Sequence, residues 1–457
     1  MFKKQFNEGR KDFFSIFQRI KKRDFSGSTG IAIKNSVYQF STNLVSKLFS
    51  FAFTIILARL LLPDLFGMYS LALSTILLFA AFSDFGIGET LVRFISRELG
   101  RGNVSKAGAY FRYLTKIKIF LMIIVSLTLI LLSKLIAENY YHQPIRLALL
   151  AGGIYILIAG FVVIFQSLLQ AHNLFRPIFY RELLFQITRI IFIPLIVLFA
   201  LKNSLGEEAI LFWIIMILSF AYLLSACLLY FFSKKNIFDI APRKTALSNK
   251  DRKKINKFLL LTSFIVFSGI SLGYIDIIML GYFVSSKYIG YYQGAFSFIS
   301  ALIPLITFST ALLPVFSRFN KKNMGIIFKK AIKILSIISI LSFLFIFFGS
   351  KYFILFAFGS EYFASINILR IFSLLLLPIP IITIYSTYFT SSGKPAAISK
   401  SLAISIVMNI VLDYLFISYL IDYSSLYAIY GVAISSVISR YCFMFLLMFY
   451  KRKEGIK

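Results

Sequence analysis

Residues 36–62 read SVYQFSTNLVSKLFSFAFTIILARLLL, a run that is apolar for most of its length. As a helix rising about 1.5 Å per residue, it can cross the roughly 30 Å hydrocarbon core of a bilayer, which needs about 20 residues. In lipid every backbone amide must be satisfied within the chain, so the run predicts a helix. Comparable runs of 19 to 27 residues recur at 68–90, 114–136, 147–170, 190–208, 209–231, 259–283, 290–314, 331–350, 364–390, 400–420 and 426–449. The expected fold is therefore an all-α integral membrane protein with 12 transmembrane helices. Composition agrees, with 59% hydrophobic and 15% charged residues where soluble chains average about 45–50% and 25%.

The gaps between the runs orient the chain. Counted with the adjoining span ends, the N-terminal tail and every second gap hold 40 of the 49 Lys and Arg, and the intervening gaps hold 5. That bias places both termini in the cytoplasm of a multi-pass protein of the cell (plasma or inner) membrane. The net charge of +31 is spread over seven cytoplasmic segments and not gathered on one fold, which argues against nucleic acid. The cations meet anionic membrane lipids instead. The first 35 residues lack a cleavage site after an apolar core, so the first span is expected to act as an uncleaved anchor.

The longest polar interruption, 232–258, divides the spans six and six. The expected units are a basic N-terminal segment 1–35, a bundle 36–232, a basic linker 233–257, a second bundle 258–449 and a basic tail 450–457. Segment 1–35 interleaves Phe2, Phe6, Phe13, Phe14, Phe17 and Ile20 with cations, as suits a helix lying on the inner leaflet or a basic tail. An offset of 223 aligns Leu57, Gly67, Tyr69, Ala72 and Ser74 with Leu280, Gly290, Tyr292, Ala295 and Ser297. Each window reads as a span end, a short external turn with Gly-x-Tyr, and a new span. Related halves of even span number share one orientation, and transporters bind substrate between such repeats.

Ionisable residues inside spans are expensive, about 2.5–3.5 kcal/mol each at mid-helix, and so mark function or internal pairing. Lys47 is the deepest in the first span. There Gln39, Asn43, Ser46, Lys47 and Ser50, spaced by three or four, form one polar helical face. A cation on that face suits a phosphate or acidic sugar, unless it pairs with Asp84 or Asp276. Arg370 is a second candidate of the same kind. Arg59 lies near a span end, where snorkelling accounts for it. Asp276 is a candidate for cation coupling or proton relay. Asp413 and Arg440 read as partners between neighbouring helices, and Asp84 lies at the inner end of span two. Pro304, Pro314 and Pro378-Ile379-Pro380 can bend spans eight and ten.

No phosphate-binding loop with its glycines and lysine is present, and Glu207-Glu208 is the one external carboxylate pair. Cys227 and Cys442 fall within spans and His142 and His172 in opposite gaps, so neither disulfide nor metal site is expected. Neither enzyme chemistry nor a cofactor is indicated.

Leu57-Ala58-Arg59-Leu60-Leu61-Leu62-Pro63-Asp64-Leu65-Phe66-Gly67-Met68-Tyr69-Ser70-Leu71-Ala72 resembles the segment after span one of the polysaccharide-biosynthesis flippases, within the multidrug/oligosaccharidyl-lipid/polysaccharide exporter superfamily. Asp84-Phe85-Gly86-Ile87-Gly88 with Leu91-Val92-Arg93 is similar to their second-span ending. Asp276 to Gly281 with Gly290-Tyr291-Tyr292, Ser392-Gly393-Lys394-Pro395 followed by Asn409, and Tyr430-Gly431-Val432-Ala433 extend the likeness from about residue 30 to 449. Asp413 departs from the Asn or apolar residue expected there.

The resemblance implies two six-helix bundles forming a V around a central cavity. It implies transport of polyprenyl-pyrophosphate-linked oligosaccharide to the outer leaflet, with cavity cations on the pyrophosphate or acidic sugars. That role maps onto Lys47 and Arg370, with Gln39, Asn43 and Arg59 on the same path. Glycan polymerase or other assembly proteins are the expected partners. The rivals are a cation-coupled multidrug exporter of the same superfamily and, from other classes, a membrane glycan polymerase or glycosyltransferase, or an assembly scaffold.

Overall fold

The computed structural model describes residues 27–240, 246–306, 321–392 and 394–453. Thirteen α-helices account for most of them. They are α1 Gly27–Asp84, α2 Ile87–Leu99, α3 Val104–Lys134, α4 Arg146–Ala171, α5 Arg176–Lys202, α6 Glu207–Ile240, α7 Asn249–Phe283, α8 Ser286–Ile306, α9 Lys321–Phe358, α10 Ser365–Ser373, α11 Pro378–Ser391, α12 Pro395–Leu420 and α13 Ser425–Lys453. A π turn, Leu135–Tyr140, extends α3, and a 3₁₀ turn, Leu374–Leu376, joins α10 to α11. Among the described residues, nine helices are long and apolar enough to cross a membrane, and a bent pair within α7 makes a tenth. One of the nine runs over 66 residues, Lys34–Leu99, about 100 Å if straight, and must hold more than one crossing.

The break is at Leu62, whose backbone sits at φ 59, ψ 173 ahead of Pro63. Proline disfavours helical backbone in the residue before it, so the chain turns there. The resulting limbs are 27–61 and 63–84. The turn expected around Gly67 is thus made at Leu62-Pro63, and Gly67 lies inside the next helix. Pro378 likewise begins α11 after the 3₁₀ turn, within one membrane-length stretch, Ser365–Thr390. Pro304 lies inside α8, and Pro314 and segment 1–26 lie outside the described residues. The helix α7 bends by 55° around 270–272.

The largest apolar core runs through α1, α4, α5, α6, α8, α9 and α10 and so joins both halves of the sequence. In their most apolar stretches α3 is 22% buried and α9 17% buried, against 61% for the α1 segment. The first two are therefore the less covered by the rest of the protein.

At the Leu62 end the halves meet in a reciprocal contact. A Cβ on Gly67 would lie 1.8 Å from the Ser286 carbonyl oxygen, and one on Gly290 would lie 1.9 Å from the Pro63 oxygen. The offset of 223 converts each pair into the other. Only glycine permits that approach at both places. Ser286 also donates to the Asp64 carboxylate, and the Tyr362 hydroxyl donates to the Ala58 oxygen at 3.0 Å.

Candidate functional site

Three polar groupings sit within the helical mass. The first lies between α1 and α5. The sequence reading placed span five at 190–208 and assigned Arg176, Arg181 and Arg189 to a loop; the helix is instead Arg176–Lys202, and the chain turns at 203–206. Arg181, Glu182, Gln186 and Arg189 therefore fall inside a membrane-length helix. Arg181 donates to Glu182 at 2.8 Å, and Gln186 donates to Glu182 at 2.6 Å and to the Ser46 oxygen at 3.4 Å. Arg189 donates to the Ser50 hydroxyl at 2.6 Å and lies over the Phe53 ring at 4.6 Å. The polar face of span one thus meets this cluster through Ser46 and Ser50.

Lys47 is exposed on the same limb, as are Gln39 and Asn43. The carboxylates weighed as its partners are otherwise engaged. Lys118, which is 1% exposed, pairs with Asp84 at 3.1 Å and donates to the Ser83 oxygen at 3.0 Å. Lys118, near the start of the apolar run 114–136, is an internal ion-pair lysine. Among the described residues no ion pair within 4.0 Å involves Lys47.

The second grouping joins α7, α8, α12 and α13. Asp276 accepts from the Tyr292 and Ser436 hydroxyls. Asn409 donates to both Asp413 oxygens at 3.2 Å and to Ser435 at 3.2 Å. Arg440 is in electrostatic contact with Asp276, Asp413 and Tyr292. Asp413 is fully buried and Asp276 is 5% exposed. The Asp276 Oδ1 and Asn409 Oδ1 atoms are buried without a hydrogen-bond donor. Asp413 and Arg440 lie on neighbouring helices, in a cluster that Asp276 shares.

The two arginines of the expected substrate path make local contacts. Arg59 donates to the Ala357 oxygen at 2.7 Å and to the Phe356 oxygen. It caps the C-terminal end of α9, where free carbonyls attract a cation. Arg370 is exposed on α10, donating to Ser350 at 3.2 Å and to Asn367 at 3.2 Å.

The third grouping is at the Gly86 end, where α2 and α3 meet α7. Gly86 has φ +71, and a Cβ there would fall 2.6 Å from the Thr262 hydroxyl. Lys106 pairs with Asp251 at 3.0 Å, Tyr110 donates to Asp251 at 3.2 Å, and Tyr113 donates to Asn256 at 3.1 Å. With its π turn α3 covers 37 residues, about 55 Å, so its first turns stand clear of the hydrocarbon. Burial alone would lift the Asp251 carboxyl, but hydrogen bonds from Lys106 and Ser248 outweigh it and hold the group below the usual carboxylate range. The bond to Asp251 holds Lys106 above the usual lysine range.

A polysaccharide biosynthesis protein family matches residues 32–320, more than half the chain, and this protein belongs to that family. The structure is similar to that of the lipid II flippase MurJ in an inward closed conformation, at TM-score 0.71 and 17% identity over 92% of this chain and 87% of that one. It is also similar to an inward-facing multidrug resistance MATE family transporter of the MOP superfamily, at TM-score 0.57 and 16% identity over 91% and 96%. The eukaryotic MATE transporter AtDTX14 matches at TM-score 0.59 and 14% identity over 91% and 96%. No curated protein matches the sequence. The chain thus has the fold of multi-pass membrane transporters of this superfamily.

Proposed function

We propose that this protein is a flippase that carries polyprenyl-pyrophosphate-linked oligosaccharide from the cytoplasmic to the outer leaflet of the cell membrane by alternating access. On this reading twelve spans form two six-helix bundles, 36–232 and 258–449, around a central cavity. The tails 1–35 and 450–457 and the linker 233–257 face the cytoplasm; within that linker α6 continues to Ile240 and α7 begins at Asn249. The distribution of cations puts the Leu62 end outside and the Gly86 end inside. The reciprocal glycine contact and the Arg59 cap are then an external seal.

The observation that carries the reading is Lys47, an exposed cation about 22 Å from the Leu62 break along the helix. Lys118 and Arg181, by contrast, are tied to carboxylates. A sugar-phosphate head cannot cross hydrocarbon alone, since each unpaired hydroxyl costs about 2–7 kcal/mol. A cationic polar face lined by Gln39, Asn43 and Lys47 lowers that barrier, and the lipid tail stays in the bilayer. Arg370 serves the outer end of the path.

Coupling is assigned to the second grouping. With both acids ionised, Asp276, Asp413 and Arg440 carry one net negative charge. Uptake of one proton or one monovalent cation neutralises it.

Depletion of the protein is expected to leave glycolipid accumulated on the cytoplasmic side; unaltered sidedness removes the flippase reading. Lys47→Ala is expected to slow outward movement by about tenfold or more. Full activity of that variant reassigns the residue alone.

A further inference from the structure

Two adjoining cavities at the Gly86 end share Arg93. One, of about 190 Å³, is lined by Arg93, Phe94, Arg97, Lys254, Lys257 and Phe258. The other, of about 480 Å³, presents Asp84, Glu89, Gln166, Ser167 and Gln170, with Arg93 at its edge. The second is within the range of about 300–1,000 Å³ usual for small-molecule sites.

The cations of the first come from both halves, Arg93 and Arg97 on α2 and Lys254 and Lys257 on α7. Neighbouring like charges on a helix repel, and here two such pairs face one another across a concavity. Among the described residues, no ion pair within 4.0 Å involves Arg93, Lys254 or Lys257; of the four cations Arg97 alone reaches a carboxylate, Glu98 at 3.9 Å, which Arg101 shares at 3.7 Å. Arg93 lies 4.3 Å over the Phe258 ring, and Phe94 and Phe258 pack edge to face at 5.7 Å. This is an aromatic floor that holds the guanidinium in place. A positive-inside bias scatters cations over loops; it does not by itself set four around one hollow. Guanidinium and ammonium groups so placed suit phosphoryl oxygens. The amides and carboxylates next door offer donors and acceptors in the mixture that sugar hydroxyls need.

We propose that this double cleft binds a phosphorylated sugar, the phosphoryl group among Arg93, Arg97, Lys254 and Lys257 and the ring against Glu89, Gln166 and Gln170. The site stands on its own chemistry; only the lipid-linked source of the ligand, which makes it a loading station at the cytoplasmic mouth, rests on the flippase reading. Because the cations come from both halves, a bound anion also holds the two together at this end.

The test uses full-length protein in nanodiscs of zwitterionic lipid. Three probes are titrated: inorganic pyrophosphate, glucose 1-phosphate, and a polyprenyl-pyrophosphate-linked sugar placed in the disc. Arg93→Gln/Lys254→Gln is expected to weaken all three by about tenfold or more. Gln166→Leu/Gln170→Leu is expected to weaken the two sugar-bearing probes and spare pyrophosphate. Exposed Arg97→Gln, with thermal unfolding as control, separates loss of binding from loss of fold. Binding of the lipid-linked probe alone assigns the site to the transported headgroup, and equal binding of glucose 1-phosphate assigns it to phosphosugars in general. Undiminished binding in the cation variant overturns the proposal, as does displacement of every probe by phosphatidylglycerol. If glycolipid sidedness proves independent of the protein while these affinities shift as stated, the flippase reading falls and the site remains.

Discussion

Two intramembrane clusters sit in opposite halves of the chain and differ in make-up, one richer in bases and the other in acids. Between α1 and α5, Arg181 and Arg189 with nearby Lys47 set three cations against Glu182. Between α7, α12 and α13, Asp276 and Asp413 set two carboxylates against Arg440. The same halves meet at Gly67 and Gly290 in a contact that is its own mirror under the repeat. The glycine contact is thus alike in the two halves while the buried polar residues differ; under the proposed function one half serves an anionic headgroup and the other a proton or cation.

Breaking the first cluster has the largest expected effect. Arg181→Ala leaves Glu182 buried beside Gln186 alone, and the loss of one member of a buried pair costs about 3–5 kcal/mol. Thermal unfolding in detergent measures it. The second cluster is expected to respond oppositely: Asp413→Asn relieves a like-charge contact and leaves stability nearly intact. It abolishes the dependence of transport on the driving ion, and a retained dependence would merge the two clusters into one structural type.

The scaffold comparison comes next. Gly67→Val and Gly290→Val each force a Cβ into backbone, with an overpacking cost of about 3 kcal/mol. Both are expected to raise external labelling of cysteines placed beside the contact, and to equal degrees; a large inequality would deny the two-fold relation. Arg59→Ala removes two charge-assisted bonds to α9 carbonyls and is expected to cost about 1.5–3 kcal/mol and to raise the same labelling.

The smallest effect is at the opposite end. Lys106→Ala removes a partly exposed pair, worth at most about 1 kcal/mol. Because Asp251 is held low, its contribution is present above the ordinary carboxylate value of 3.8 and lost as pH falls below it. Because Lys106 is held high, its share is present below the ordinary lysine value of 10.5 and lost as pH rises past it. The latch is thus constant near neutrality, and a pH titration of unfolding between 5 and 9 is expected to show no step from it.

The apolar runs and their order were legible because lipid dictates helix length and composition. Lys118, Arg181 and Arg189 were not legible as internal residues. Each lies at the edge of an apolar run, where a cation on a helix and a cation in a loop read alike. Glu182, Gln186 and Arg189 do repeat at spacings of four and three, a face that a span placed at 176–202 would have displayed.

The sequence alone determined that this chain is helical and membrane-embedded, and that Gly67 and Gly290 occupy equivalent places. Hydrocarbon sets those features residue by residue, with no reference to neighbours. Only the tertiary structure decided which charges are partnered. It gave Asp84 to Lys118, Arg59 to the end of α9 and Asp276 to Tyr292 and Ser436, and it left Lys47 exposed. Pairing depends on which helices lie side at side, and no local pattern carries that information.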